Sequence, residues 1–186
     1  MTYEFEDFDD FVTDDDILSK KPKRINGKKK GNRTELELTK ILNKRFNTQD
    51  FSRSLGSGNR WGQVDHLPKH ARDVFSGDLI VPKNFKFALE SKGGYDGIDI
   101  NSVFLRGNTE LDGFLDQALK DAKRCDRKPM LCWKRKRKPW LVGVLTQDLE
   151  GDFKYQLKYK KWSILALEEL LKLSDEFFLH SNSDNS

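Results

Sequence analysis

Hydrophobic positions along the chain recur with two periods, and each change of period marks a new element. From Asn32, a residue suited to capping a helix, Glu35, Leu38, Leu42 and Phe46 fall on one stripe and predict a helix over 32–46. Residues 50–54 read as a short strand. Segments 78–81 and 85–92 flank the turn sequence Pro82-Lys83-Asn84 and predict a hairpin. Leu111, Phe114, Leu115, Ala118 and Leu119 share a second helical stripe, over 111–124. Strands over 129–134 and 139–145 and a last helix over 165–173 complete the order α-β-β-β-α-β-β-α. That order predicts an α/β fold with a mixed sheet and helices packed on it. A long loop over 56–77 and a glycine-rich stretch after Gly93-Gly94 interrupt the pattern, and loops of that length commonly carry function.

The hairpin has a consequence for side-chain direction. With the turn at Pro82–Asn84, Val81 faces Phe85, Ile80 faces Lys86 and Asp78 faces Ala88. Opposed residues project to the same side of a sheet, as do residues two apart. Asp78, Ala88, Glu90 and Lys92 therefore share one face, and Leu79, Val81, Phe85, Phe87 and Leu89 the other. A slip of one residue would break this alignment. Glu35 lies in the middle of the first helix's apolar stripe. It reads either as a carboxylate aimed inward or as the glutamate of a capping box begun by Asn32.

Composition sets the boundaries of this picture. The 186 residues fit one domain with extended ends: an arm over 1–31, a folded unit over 32–178 and a frayed tail over 179–186. No apolar run approaches the roughly 18 residues that span a membrane. Cys125 and Cys132 form no metal-binding or disulfide framework, so an intracellular, cytoplasmic setting is the expectation.

Charge changes the picture more than composition does. The net charge is only +4, yet residues 1–19 hold eight acids and no base, and residues 20–33 hold eight bases and no acid. A third block, 123–138, carries nine bases against Asp126 and ends in Lys134-Arg135-Lys136-Arg137-Lys138. Two basic blocks point to a polyanionic partner, because each Lys or Arg near a phosphate releases a condensed counterion. Lys28, Lys29, Lys30, Arg33, Arg135, Lys136 and Arg137 are the candidate nucleic-acid contacts. The plain alternative is solubility with flexible ends. The acidic segment, with Phe5, Phe8 and Phe11 spaced through it, is expected either to shield the basic surface or to dock a protein partner.

Three carboxylates converging with a lysine suit a hard divalent cation. Mg²⁺ takes oxygen ligands and keeps several waters, so one or two carboxylates with a substrate phosphate suffice. Such a metal acidifies its water and clamps a phosphate during displacement. A neighbouring lysine orients or deprotonates that water, since burial lowers a lysine pKa readily. Phosphodiester hydrolysis is the expected chemistry; the plain alternative is a hairpin whose charges face water.

These residues resemble a family. Gly31-x3-Glu35, Arg53-Ser54-Leu55-Gly56-Ser57-Gly58, Asp78 and, twelve residues on, Glu90-Ser91-Lys92 are similar in order and spacing to the motifs of archaeal-type Holliday junction resolvases. These belong to the wider PD-(D/E)xK nuclease class, and a weaker echo follows in the helix carrying Gln117. The resemblance spans about residues 31–92 and implies a viral or phage version of such an enzyme. It implies a restriction-endonuclease-like mixed central sheet flanked by helices. It implies metal ligation by Glu35, Asp78, Glu90 and the Ser91 carbonyl, with Mg²⁺ or Mn²⁺ as cofactor. Lys92 would be the general base or water-orienting group, Arg53 would hold a phosphate, and Ser54 or Ser57 could touch one. The implied substrate is branched DNA, four-way junctions above all, cut by a homodimer. The loop 58–77 is longer than the family's connection, which leaves other branched DNAs open.

That loop carries Arg60, Trp61, His66 and His70. Trp61 beside Arg60 could stack on an unpaired base or simply pack. Pro68 separates His66 from His70, so a DNA-facing loop is a better reading than zinc. Trp133 and Trp140, on either side of the basic turn, read as packing residues. Competing functions are a restriction- or repair-type nuclease of the same class, or a DNA-binding module whose carboxylates are structural.

Overall fold

The computed structural model describes residues 27–54, 77–151 and 153–181, with backbone alone for 27–30, Ile100 and Ser102. The first helix, α1, spans Gly27–Phe46 and so begins before the expected cap at Asn32. Asn32 is inside the helix, and its side-chain oxygen accepts a hydrogen bond from Arg53 Nη2 at 2.9 Å. The capping-box reading of Glu35 falls with the cap. Lys28, Lys29 and Lys30, expected in a mobile arm, belong to the opening turns of α1 by their backbone.

Two short strands follow, β1 (Ser52–Arg53) and β2 (Leu79–Ile80), paired antiparallel with each other. Next come β3 (Phe87–Gly93), helices α2 (Ile100–Arg106) and α3 (Thr109–Arg124), then β4 (Lys128–Lys134) and β5 (Trp140–Leu145). The chain closes with β6 (Leu157–Tyr159), β7 (Trp162–Ala166), α4 (Leu167–Leu170) and α5 (Asp175–Phe178). The main sheet has five strands in the order β3-β4-β5-β7-β6. The β3–β4 pair is parallel and the others are antiparallel. A parallel pair needs a crossover, which α2 and α3 supply.

Side chains alternate across the sheet and build a core on each face. Met130, Cys132, Val142, Val144 and Leu165 pack with Leu38 and Leu42 of α1. Leu131, Trp133, Trp162 and Ile164 pack with Leu111, Leu115 and Ala118 of α3. The result is the expected mixed α/β sheet, with helices on both faces.

The hairpin expected from Asp78 to Lys92 is not formed as a ladder. Its turn exists, with the Phe85 N–H donating to the Pro82 carbonyl at 3.0 Å, but Arg127 Nη1 also donates to the Pro82 and Phe85 carbonyls. Beyond the turn, Phe85 bridges Leu179 and the Lys86 N–H donates to Phe178 O, so the returning strand is taken up by the chain's C-terminal end. One bridge, of parallel type, joins Gly77 to Leu89. It sets Gly77 opposite the residue that the predicted register gives it. Leu79, Val81, Phe85, Phe87 and Leu89 share the α1-side core, as their parity requires.

Three further differences are physical. Trp162-Ser163-Ile164-Leu165, expected to lead into or form the last helix, is a fully buried strand, and a continuous apolar run does not reveal its period. Its partner β6 is only three residues long and turns through Lys160, at φ 53°, without the glycine that usually announces a tight hairpin. The stretch after Gly94 contains α2. Of the tail expected over 179–186, residues 179–181 are described, and the His180 N–H donates to Asn84 O at 2.8 Å; residues 182–186 lie outside the described residues.

Candidate active site

The β3 strand is an edge of the main sheet, and its free edge holds the site. The Asp78 N–H donates to the Leu89 carbonyl at 3.0 Å, and Asp78 Oδ2 accepts the Ser91 N–H at 3.0 Å. Residue 78 thus grips the edge at two points. Within a strand the N–H and C=O of one residue point the same way, so the Ser91 carbonyl faces the same edge as its N–H. The Ser54 N–H donates to the Asp78 carbonyl at 3.1 Å, which fastens Asp78 to the end of β1 as well.

Glu90 and Lys92 project from the α3 side of β3. Lys92 Nζ lies 2.5 Å from Glu90 Oε1 and 5.2 Å from the Phe114 ring centroid on α3. Glu90 is 2% exposed. Burial first, then the neighbouring Asp78 charge, pushes the Glu90 carboxyl up to about 8. Asp78 is raised for the same reason, burial first, with the Glu35 charge adding to it, against the hydrogen bond from Ser91 and the charge of Lys92. Two neighbouring, desolvated carboxyls of this kind cannot both ionise freely.

Lys92 corrects an expectation. Burial does pull its pKa down, but the carboxylates of Glu90 and Asp78 together outweigh burial, and the net shift is upward. As arranged, the neighbouring carboxylates favour the charged ammonium of Lys92.

Glu35 and Arg53 form a second pair beside the first. Glu35, 6% exposed on α1, receives Arg53 Nε at 2.7 Å, while Arg53 Nη2 reaches Asn32. Gly93 lets α1 approach β3, since a Cβ there would fall 2.1 Å from Thr34 Oγ1, one residue from Glu35.

The donor set fits a hard divalent cation in a specific way. Among the described residues no three acidic, histidine or cysteine side chains converge closely enough to hold a metal unaided. Asp78 and Glu90 do converge, both carboxyls are raised by burial first, Glu90 further by the Asp78 charge and Asp78 by that of Glu35, and the Ser91 carbonyl shares their edge. Mg²⁺ requires no more than this from a protein. Glu35 is nearby but already occupied by Arg53.

The remaining sequence candidates divide. Ser54, at the end of β1, is 2% exposed. Arg33, Lys136 and Arg137 are exposed; Arg135 is half-buried. Ser57, Arg60, Trp61, His66 and His70 lie outside the described residues. Asp121 on α3 was not singled out by sequence. It is buried and close enough to Glu90 and Lys92 to act on both electrostatically. The signal was present: Asp121 continues the stripe of Leu111, Leu115 and Ala118, an acid on an apolar face like Glu35.

A family model described as phage putative PDDEXK endonuclease matches residues 26–178. Among solved structures, the chain is similar to Hjc, a Holliday junction resolvase from the archaeal hyperthermophile Archaeoglobus fulgidus, at 17% identity and a TM-score of 0.36. That match covers 74% of this chain and 89% of the other. No curated protein matches the sequence.

Proposed function

Since the chain belongs to the phage PDDEXK endonuclease family, we propose that it is a divalent-metal-dependent DNA endonuclease acting on branched substrates, four-way junctions in particular. One observation carries the metal-dependent chemistry. Asp78, half-buried, and Glu90, buried, meet on a sheet edge as a carboxyl pair, with the Lys92 ammonium 2.5 Å from Glu90.

Asp78, Glu90 and the Ser91 carbonyl would hold Mg²⁺ or Mn²⁺, with Glu35 contributing from the neighbouring pair. When bound, the metal supplies an acidified water and charge neutralisation at the scissile phosphate. The chain's own groups do the rest. Lys92, charged, orients the attacking water and offsets the charge that develops on the phosphoryl oxygens. Arg53 offers a guanidinium to the same phosphate or its neighbour, a contact suited to two parallel hydrogen bonds. Arg33, Lys136 and Arg137 place the backbone without reading sequence.

Preference for four-way junctions is supported by the ordered set Gly31-x3-Glu35, Arg53-Ser54, Asp78 and Glu90-Ser91-Lys92. Paired cuts across a junction would need a homodimer, and the protein would work inside the cell, with DNA. The test is cleavage of matched duplex, flap and four-way junction with Mg²⁺ or Mn²⁺. Junction cutting with intact duplex is expected. Equal cutting of duplex would point to a restriction- or repair-type enzyme, and binding with no cutting would leave a DNA-binding module.

A further inference from the structure

A second feature lies apart from the carboxylates, at the end of the sheet where β4 turns into β5. A cavity of about 330 Å³ opens there, walled by apolar side chains that include Ile98, Val103, Leu157 and Ile164. Its volume is at the lower end of those that hold ligands. Arg135, Lys138 and Glu168 also line it, and the turn beside it is Lys134–Lys138.

Two donors in its lining are unsatisfied. The indole N–H of Trp133, a residue only 2% exposed, and the Nε–H of Arg135 are both buried without an acceptor among the described residues. Buried donors are nearly always paired, so each such exception calls for an explanation. The neighbouring acids do not supply one. Glu37 is paired with Lys134 Nζ on the opposite face, Asp96 Oδ1 accepts from the Lys136 N–H, and Glu168, which lines the cavity, bonds neither donor. An occupant that suits this place brings an apolar ring for the walls and anionic oxygens for the rim.

The chain itself contains such an occupant. Residues 4–11 read Glu-Phe-Glu-Asp-Phe-Asp-Asp-Phe, with an acid on one or both sides of each phenylalanine. Residues 1–19 carry eight acids and no base, opposite in charge to the turn, all five residues of which are basic. We propose that the cavity is the seat of this chain's own N-terminal segment. A phenylalanine from Phe5, Phe8 or Phe11 enters between Ile98 and Ile164, and the flanking carboxylates accept from Arg135 and Trp133.

Reach permits this. From Phe11 to Gly27, where α1 begins, the chain can extend to roughly 50 Å, several times the ~15 Å radius of gyration of a domain this size. Tethering also sets a millimolar effective concentration, so modest intrinsic affinity fills the cavity. Paired DNA suits the rim but not the walls, because its bases are stacked inside the duplex and its sugar-phosphate backbone offers little apolar surface to bury. The docked segment covers Arg135–Lys138 and so competes with phosphate for the same turn. Docking itself does not depend on the nuclease reading.

The test uses the full chain with a nitroxide at residue 13 through Thr13→Cys. Cys125 and Cys132 are buried and leave that thiol as the accessible one. Nuclear magnetic resonance signals of the Ile98, Val103, Leu157 and Ile164 methyls and of the Trp133 indole should lose at least about half their intensity. The Phe178 end of the molecule should be unaffected. Phe5→Ala, Phe8→Ala and Phe11→Ala together should restore the signals, as should Arg135→Glu with Lys138→Glu, without a change in melting temperature for the phenylalanine variant. Unchanged intensities, broadening centred on Glu35 and Leu38, or broadening that survives the phenylalanine changes would overturn the proposal. So would equal broadening in a mixture of nitroxide-bearing and isotope-labelled molecules, which would seat a second copy's segment in the cavity. In a separate readout, the phenylalanine variant should bind plain duplex several-fold more tightly at low salt, where screening is weakest. If the signals recover while duplex affinity does not move, docking stands and the competition with DNA is what fails.

Discussion

Asp78 sits where two demands conflict. Its backbone and side chain both bind the β3 edge, yet its charge lies beside that of Glu90 in a buried place. Asp78→Asn, Glu90→Gln and Lys92→Ala should each lower cleavage by about 10²–10⁴-fold while leaving DNA binding nearly intact, because affinity comes from the basic surface. Full activity in any one would remove that residue from the mechanism. The conflict also predicts a dependence of stability on pH. A carboxyl raised from its unfolded value of 4.5 to about 8 binds its proton more tightly when folded. Its contribution is therefore favourable at low pH and is lost as pH rises from about 4.5 to about 8. In chelator, the melting temperature should fall over that window. Asp78→Asn, which keeps the acceptor for Ser91 and removes one charge, should be more stable than the parent at pH 8 by on the order of 2 kcal/mol, or about 5 °C. The difference should shrink at pH 5; a difference independent of pH would mean that charge is not its source. Arg53 makes the reciprocal case. Arg53→Ala strands the buried Glu35 carboxylate and should cost about 2–3 kcal/mol as well as rate. Adding Glu35→Gln should recover the stability and leave cleavage impaired, whereas recovery of both would make the pair purely structural.

At the scale of elements, the site depends on close approaches of backbone to backbone, and glycines make them possible. Gly77 has φ 81°, and a Cβ there would lie 2.2 Å from the Leu89 carbonyl oxygen, the acceptor of the Asp78 N–H. Gly77→Ala should therefore shift Asp78 off the edge and lower cleavage by about 10²-fold, as expected for a misplacement near 1 Å. Gly113 in α3 meets nothing within 4 Å, so Gly113→Ala should leave cleavage unchanged and stabilise by about 0.5–1 kcal/mol. If both variants cut normally, the bridge at Gly77 does not position the site. The same bridge explains what could be read in the sequence. Side-chain parity in strands has period two, so the faces of Leu79, Phe87 and Leu89 follow from the Pro82–Asn84 turn even though no ladder forms. What could not be read was the competitor for that strand: Leu179 and Phe178 sit some ninety residues away in sequence, and no local pattern announces their pairing. The extended start of α1 was equally hidden. Asn32 is a strong local cap signal, but a partner on β1, Arg53, takes its side chain instead. Glu35 and Asp121 share one signal, an acid on an apolar stripe, and only the first was followed.

Across the whole molecule, the two ends of α1 do different work. One end presents Glu35 beside the carboxyl pair; the other, through Phe46, joins an aromatic cluster with Phe51, Phe85 and Phe178. Phe178 is fully buried, edge-on to Phe46 at 5.3 Å and stacked with Phe85 at 6.3 Å. Arg45 ties the same region down, donating to the Leu171 carbonyl at 2.6 Å and the Leu173 carbonyl at 2.7 Å and pairing with Asp175 at 2.8 Å. This end buries apolar surface and answers the charge of Arg45 with Asp175, so it can offset a site in which burial and the Asp78 charge raise the Glu90 carboxyl. Phe178→Ala should cost about 3–5 kcal/mol, the usual loss for a large core aromatic, and lower the melting temperature by roughly 10 °C. Because the cluster lies at the far end of α1 from Glu35, cleavage per folded molecule at 25 °C should stay within about twofold of the parent. Removal of residues 182–186, beyond the His180 contact with Asn84, should change neither quantity. Thermal melts and cleavage rates measured on the same preparations check both statements. A Phe178→Ala protein that melts normally would show that the cluster is not the anchor. One that melts low and also cuts slowly well below its melting temperature would show that α1 transmits the disturbance along its length, and that stability and site geometry cannot be varied separately.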